Sequence, residues 1–543
     1  MDSFLTVDAL LPLLVGLPLL AAILTTLLKH HNWRVGVSVA VASIQLIVVV
    51  ALLAWLSGSW LHDNSPSFDS QHQRYALGGW GAPLGIDLAI DGFSALMLAL
   101  TAVLTLVLTV YSGGYFSEPR STVDLGSAPL AAPRPSPSPS PVSDPLLVDK
   151  SARFWPLWWL LIMGINGLFL SGDIFNIYVT LEIIGLAAVA LVALDGSRAS
   201  LTAALRYLLV GLLGSLCYLL AVALLYRAYG TLDLAQLSAI AEPTAITWAA
   251  LALITTGLLL KTALVPLHFW LPLAHGSAPA PVSAILSALV VKTSFYLLAR
   301  FWLDTLAPAA TDYGLLMLGV LGATAIFWGS IQALRAKRLK VMVAYSTVAQ
   351  LGYLFLLFPL FLFSGNIRES GLNGPAVSAI AYFIVAHACA KAAMFLAAGN
   401  IMRTVGHDEV DRLQGLSKVM PLSLFAFAIA GASLIGLPPS AGFIAKWLLL
   451  NVAIDTAQWW WVIIILSGGL MAAMYVFRVL SIAFINVDEK VQTEPQSSTN
   501  DPLTINDQPM LMSLCAMLLA ILTIVLGFNA ELILDLVNVG GDV

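Results

Sequence analysis

The stretch KTALVPLHFWLP, residues 261–272, decides the fold: a lysine opens it, two prolines interrupt it, and apolar residues fill most of the rest. It lies in an apolar segment running 246–275. As one helix that segment would be about 45 Å long, against about 30 Å for the hydrocarbon core of a bilayer. Proline removes a backbone donor and clashes with the preceding turn, so Pro266 and Pro272 predict a break rather than one long rod. A second segment, 421–457, is longer still and contains GLPPS at 436–440. Unsatisfied backbone at membrane depth is tolerated only where protein or a water-lined cavity covers it. Lys261 precedes its break by five residues and Lys446 follows its own by about six. Two broken helices, one in each half of a bundle and each with a lysine, form the pattern of transporter repeats.

Composition agrees. The 543 residues are 59% hydrophobic and only 10% charged, with a mean hydropathy of +0.91. A soluble protein carries about 25% charged residues, so lipid is the solvent this chain fits. A net charge of −5 argues against nucleic acid as a partner. Cys217, Cys389 and Cys515 stand alone in apolar runs, which supports neither a disulfide framework nor a metal centre. The chain has no Gly-x-Gly-x-x-Gly, no phosphate-cradling Gly-Lys-Ser/Thr and no Cys-x-x-Cys-His. Cofactor carriers and ATPases are therefore disfavoured, and neither a cofactor nor a metal is expected.

A ruler of about 20 apolar residues gives about fourteen spans, from 8–28 to 509–530. The reading is an all-α polytopic membrane protein with two inverted-repeat bundles, each containing a broken helix. Residues 1–116 hold the first three helices, 151–303 the first repeat (helices 4–8), 314–484 the second (helices 9–13) and 509–543 the last helix. Residues 117–150, with the tract APRPSPSPSP, read as a disordered cytoplasmic loop, and 485–508 as a second polar loop. The first span reads as uncleaved, since Asp2 and Asp8 precede its apolar core where a signal peptide would be basic. Basic clusters at Lys29–Arg34, at Arg335–Lys340 and around Arg403, Arg412 and Lys418 then fall on one side. The positive-inside rule makes that side cytoplasmic and puts both termini outside.

The informative residues are ionisable ones in mid-span, each costing about 2.5–3.5 kcal/mol or more at the bilayer centre. Glu182 lies nine residues beyond Asp173, about 13–14 Å deeper by helix rise. Lys292 lies about 16 Å beyond Pro281. His387 and Lys391, four apart, share one helical face. With Lys261 and Lys446 these form the candidate relay. Bland readings stand beside it: Glu182–Lys261 as a static pair, Lys292 as a snorkelling side chain and His387 as a packing histidine. Asp173, after Gly172, suits a helix N-cap. Arg206 suits an interfacial anchor, while His268 and His275 suit bonding to carbonyls freed at the break. These four are accessory candidates.

The chain resembles the proton-translocating antiporter-like family shared by complex I, group 4 membrane hydrogenases and Mrp-type multisubunit cation/proton antiporters. KTALVPLHFWLPLAH (261–275) is similar to that family's broken seventh helix, LVVKTSFYLLAR (289–300) to its eighth, HACAKAAMFLAAG (387–399) to its eleventh and GLPPSAGFIAKW (436–447) to its broken twelfth. SGDIFNIYV (171–179) resembles the D subunit of Mrp antiporters and its hydrogenase relatives. The usual aromatic run before the fifth-helix glutamate is ValThrLeu here, and Gln350 stands where some relatives place histidine.

The resemblance implies roles. Glu182 is the fifth-helix glutamate paired with Lys261, Lys292 passes protons inward, His387 and Lys391 are the polar pair on the central axis, and Lys446 is the terminal lysine. It further implies a subunit of a monovalent cation (Na+)/proton antiporter in the bacterial inner membrane, working beside other membrane subunits and with no cofactor. The competing implication is a proton-pumping membrane subunit of a hydrogenase-like or NADH dehydrogenase-like redox complex. A scaffold without transport would leave so many central charges unexplained. The Pro/Ser composition resists folding, so deletion of residues 125–147 should leave assembly and proton flux in vesicles intact; loss of assembly would mean that the loop docks a partner.

Overall fold

The computed structural model describes residues 7–62, 74–81, 85–117, 150–362, 372, 374–485 and 510–537. The Pro/Ser tract and nearly all of the second polar loop lie outside them. The first half comprises α1 (Val7–Leu27), α2 (His31–His62), α3 (Gly92–Tyr115), α4 (Lys150–Leu170), α5 (Ile174–Val192), α6 (Arg198–Tyr229), the short α7 (Leu234–Ile240), α8 (Ala245–Thr262), α9 (Leu271–Ser277), α10 (Ala280–Ile285) and α11 (Val291–Arg300). The second comprises α12 (Asp312–Arg335), α13 (Leu339–Leu354), α14 (Leu357–Leu362), α15 (Pro375–Val405), the short α16 (Leu416–Val419), α17 (Pro421–Ile435), α18 (Ala441–Asp455), α19 (Trp459–Phe484), α20 (Met510–Phe528) and α21 (Ala530–Val537). A two-stranded antiparallel ribbon, β1 (Arg74–Ala76) with β2 (Asp87–Ala89), is the only sheet among the described residues.

Among the described residues, thirteen stretches are long and apolar enough to cross a membrane. The remaining expected span is the pair α17–α18, divided at GLPPS. Both expected breaks are present. α8 ends at Thr262, one residue after Lys261, with Ala263 beyond it in a left-handed conformation (φ 59°), and α9 resumes at Leu271. α17 ends at Gly436 (φ 90°), and α18 is capped by Ser440, which accepts from the Phe443 N–H.

Burial sorts the helices. The stretches Ala280–Thr305 and Pro375–Val405 are enclosed through their central turns, and 339–362 nearly so. These segments hold the centre of the bundle, whereas α6, α19 and α20 present rows of exposed leucine, isoleucine and phenylalanine, as lipid or a membrane neighbour demands. A helix enclosed on every side has no need of an apolar-only face, which is why the central helices can carry lysine and histidine.

Close backbone approach positions the first pair of charges. α6 packs against α8 at Gly214 and Gly257; a Cβ added at Gly257 would lie 2.4 Å from the Gly214 carbonyl oxygen. Small residues that let helix backbones meet are the usual device of membrane bundles. Ser215 follows the contact on α6, and Lys261 stands one turn beyond it on α8. Gly257→Ala should therefore cost about 1–3 kcal/mol through overpacking, visible as a lowered thermal unfolding midpoint of the purified protein; an unchanged midpoint would mean that the two helices can part freely.

Candidate functional site

The site begins at the start of α5. The Asp173 carboxylate accepts from the Phe175 and Asn176 N–H groups at 2.8 and 2.7 Å, the N-cap that its place after Gly172 suggests. Burial raises its pKa above the ordinary carboxylate value, against the pull of those two N–H groups. About two and a half turns deeper, Glu182 accepts from the Ser215 hydroxyl and lies 3.6 Å from Lys261 Nζ. The carboxylate side chain is 23% exposed and the lysine 9%. Beside the pair a cavity of about 30 Å³ is lined by Tyr207, Thr293 and Ser294, room for a water or two. Thr293 and Ser294 directly follow Lys292 on α11, so the cavity joins the first pair to the helix of the next lysine.

The centre is enclosed and densely bonded. Lys292 is fully buried and donates to the Ser287 carbonyl, inside a wide π turn (Leu286–Val290); such turns are frequent at functional sites. The Ser287 hydroxyl lies 2.9 Å from the Thr347 hydroxyl of α13. Lys391 of α15 donates to the Ser346 hydroxyl and, at 3.2 Å, to the Val343 carbonyl, both on α13. One turn earlier, His387 is buried with neither ring nitrogen bonded to protein. It lines a cavity of about 10 Å³ with Gln350, Ser433, Leu434 and Lys446, about the room of one water. His387 and Lys446 therefore face the same small space.

Lys446 closes the file. Its ammonium donates to the Leu434 and Ile435 carbonyls, each at 2.9 Å, and stands 4.8 Å over the Tyr353 ring. Those are carbonyls at the end of α17, where the helix stops and no backbone donor follows. Gly436 is required twice over. Its φ of 90° is a left-handed conformation, and a Cβ there would come within 2.9 Å of Lys446 Cδ.

The accessory candidates divide. Arg206 is exposed on α6. His268, half-buried in the break, accepts from the Trp328 indole N–H at 3.1 Å. In the same break the Trp270 indole N–H donates to the Leu260 carbonyl at 2.9 Å. His275 is fully enclosed, stacks on Phe395 with centroids 5.2 Å apart, and has neither nitrogen bonded.

Several contributors carry no mark in the sequence: Ser215, Ser346, Tyr353 and Lys340. Gln350 stands out there only as a departure from its relatives. Hydroxyls within apolar runs carry no signal of their own. Lys340 sits in the basic run Arg335–Lys340 and looks like a loop residue, yet it is buried and donates to the Ala278 carbonyl. The run ends one turn inside the bundle.

With this geometry in view, the family profile described as NADH:quinone oxidoreductase/Mrp antiporter, TM, matches residues 171–472. The chain belongs to this family. The N subunit of the NADH-quinone oxidoreductase of Desulforudis audaxviator is 33% identical over 537 residues, covering 97% of both chains. The D subunit of the Na(+)/H(+) antiporter of Alkalihalophilus pseudofirmus is 26% identical, covering 98% of this chain and 95% of its own. A chain of the Mrp complex from Dietzia sp. DQ12-45-1b superposes with a TM-score of 0.78 at 24% identity, over 98% of this chain and 97% of that one. The family's matched region spans every residue from Glu182 to Lys446.

Lys446 provides the sharpest test of the antiporter-family reading at this end. Lys446→Ala leaves the Ile435 carbonyl without a donor, at about 1–3 kcal/mol, and the Leu434 carbonyl with only the Gln350 amide at 3.5 Å, and should lower proton flux by at least about tenfold. Lys446→Glu keeps a titratable group and should retain part of the flux. A merely structural lysine would reverse that order. Flux in vesicles, normalised to protein abundance, distinguishes the two.

Proposed function

We propose that the chain is the proton-translocating membrane subunit of a monovalent cation/proton antiporter complex, with Na+ the cation named for its D-type relatives. Protons would pass along Glu182, Lys261, Lys292, His387/Lys391 and Lys446. The observation that carries the reading is the file itself. Each of these groups is buried or partly so, every lysine in it is bonded to a carboxylate, hydroxyl or carbonyl, and small cavities lie at both ends of the file. Among the described residues, Lys292, Lys391 and Lys446 form no ion pair with a carboxylate, so no fixed counter-ion locks their charge in place. The Glu182–Lys261 pair, by contrast, can open and close, and a charge next to it would bias which.

In this reading residues 151–303 and 314–484 are two repeats, each with its broken helix. The basic loops face the cytoplasm of a bacterial cell by the positive-inside rule, both termini face outward, and other membrane subunits cover the exposed faces. Cation movement would be coupled across that assembly. A second reading, a proton-pumping subunit of a redox-driven complex, is favoured by the 33% identity to the N subunit of an oxidoreductase. The two differ in their partners: purification of the intact complex should yield further small membrane subunits for the antiporter and iron–sulfur or nickel-site subunits for the redox pump.

Glu182→Ala or Lys261→Ala should abolish cation-dependent proton flux in membrane vesicles, with the protein still assembled. Wild-type flux in either variant removes the pair from the mechanism.

A further inference from the structure

α19 lies against α13 at Gly468, where an added Cβ would overlap the Tyr353 hydroxyl. Seven residues on, two helical turns, the same face of α19 carries Tyr475; seven residues before Tyr353, α13 carries Ser346. Tyr475 is thereby brought between Ser346 and Gln350, the two side chains within reach of its hydroxyl. The residue is fully enclosed. Among the described residues its hydroxyl meets neither of the two in bonding geometry and has no other partner.

A buried hydroxyl without a partner costs stability, and phenylalanine would fill the same space without that cost. Such a group calls for an account. The two side chains beside it belong to different stations of the file. Ser346 accepts from the Lys391 ammonium and donates to the Val343 carbonyl at 2.9 Å. A hydroxyl oxygen has two lone pairs, so Ser346 can accept one hydrogen more. The Gln350 amide nitrogen donates at 3.5 Å to the Leu434 carbonyl, which Lys446 also holds, and Gln350 lines the cavity shared by His387 and Lys446. Its amide oxygen is an acceptor. Tyr475 has a single O–H hydrogen, which can serve Ser346 or Gln350 but not both.

We infer that Tyr475 is a positioning residue that couples Lys391 to Lys446, by directing its one hydrogen to Ser346 or to Gln350. The inference rests on the relay reading above and adds a link between its last two stations. With Lys391 charged, its ammonium holds the Ser346 oxygen and the tyrosine hydrogen turns to the Gln350 amide oxygen. That bond steadies the amide on Leu434, beside the Lys446 ammonium. Once Lys391 gives up its proton, its amine becomes an acceptor, and the Ser346 hydroxyl turns to it from Val343. The Ser346 oxygen then takes the tyrosine hydrogen, and Gln350 is released toward the cavity of His387 and Lys446. No covalent bond is made or broken, and no proton passes through the phenol.

The test uses the assembled complex in membrane vesicles. Tyr475→Phe keeps the ring and removes only the hydroxyl, so a merely structural role leaves flux at the wild-type rate. The coupling instead lowers proton flux about tenfold, the kinetic worth of one neutral hydrogen bond. The thermal unfolding midpoint should stay equal to or above that of the wild type. Gln350→Met, close in length but a poor acceptor, should lose flux to the same extent. The double variant should be no slower than either single one, because both changes break one link. Wild-type flux in Tyr475→Phe overturns the inference, as does a midpoint that falls with the flux or a double variant whose losses multiply. Should Tyr475→Phe fail to accumulate, Gln350→Met decides by the same flux criterion. If Lys391→Ala is inactive while Tyr475→Phe is wild-type, only this coupling falls; if Lys391→Ala and Lys446→Ala are both active, the relay reading falls with it.

Discussion

Lipid offers a peptide carbonyl no donor, so any span that stops short inside the bilayer must bring its own. Among the described residues two spans stop short, at the ends of α8 and α17, and the groups that answer the freed carbonyls shape the site. At the end of α17 the answer is the Lys446 ammonium, held on the Leu434 and Ile435 oxygens. At the end of α8 it is the Trp270 indole on Leu260, and Lys261, one residue before the helix ends, turns to Glu182 instead. The same backbone requirement thus places one lysine against neutral acceptors and another against a carboxylate. That asymmetry runs through the structure, since Lys292 and Lys391 also rest on carbonyls and hydroxyls alone.

Neutral acceptors matter because the interior amplifies every charge. Two like charges repel far more strongly in a low-dielectric core than in water, and Lys292 on α11 and His387 and Lys391 on α15 are all buried. A proton arriving at one is felt by the others without any helix moving. Fixed carboxylates along the file would damp that effect by compensating each lysine separately. The described core places its one partly buried lysine carboxylate, Glu182, at the end, where it can respond to the rest rather than neutralise it.

Much of this is legible in the sequence. Fourteen apolar runs, both breaks and the mid-run positions of Glu182, Lys292, His387 and Lys391 follow from apolar run length, proline position and helix rise, because lipid makes each of those signals strict. What escapes depends on partners distant in the chain. Ser215 matters only because Gly214 and Gly257 let α6 and α8 touch, and Tyr353 only because the fold brings its ring to 4.8 Å from the Lys446 ammonium. Lys340 is hidden for a plainer reason: a lysine at the end of a basic run looks the same in sequence whether it points to water or into the bundle. The role of His268 is likewise set by a residue, Trp328, that no local pattern links to it.

The ring of Tyr353 under the terminal ammonium has a consequence for observation. A cation 4.8 Å above an aromatic face polarises its π electrons, and the phenol is fully enclosed, so bulk solvent does not blur the effect. Its hydroxyl is anchored on the Ile465 carbonyl at 3.0 Å, which holds the ring at a fixed angle to the charge. The protein therefore contains an intrinsic chromophore whose ultraviolet and vibrational bands move with the occupancy of Lys446, and which needs no attached dye to follow it.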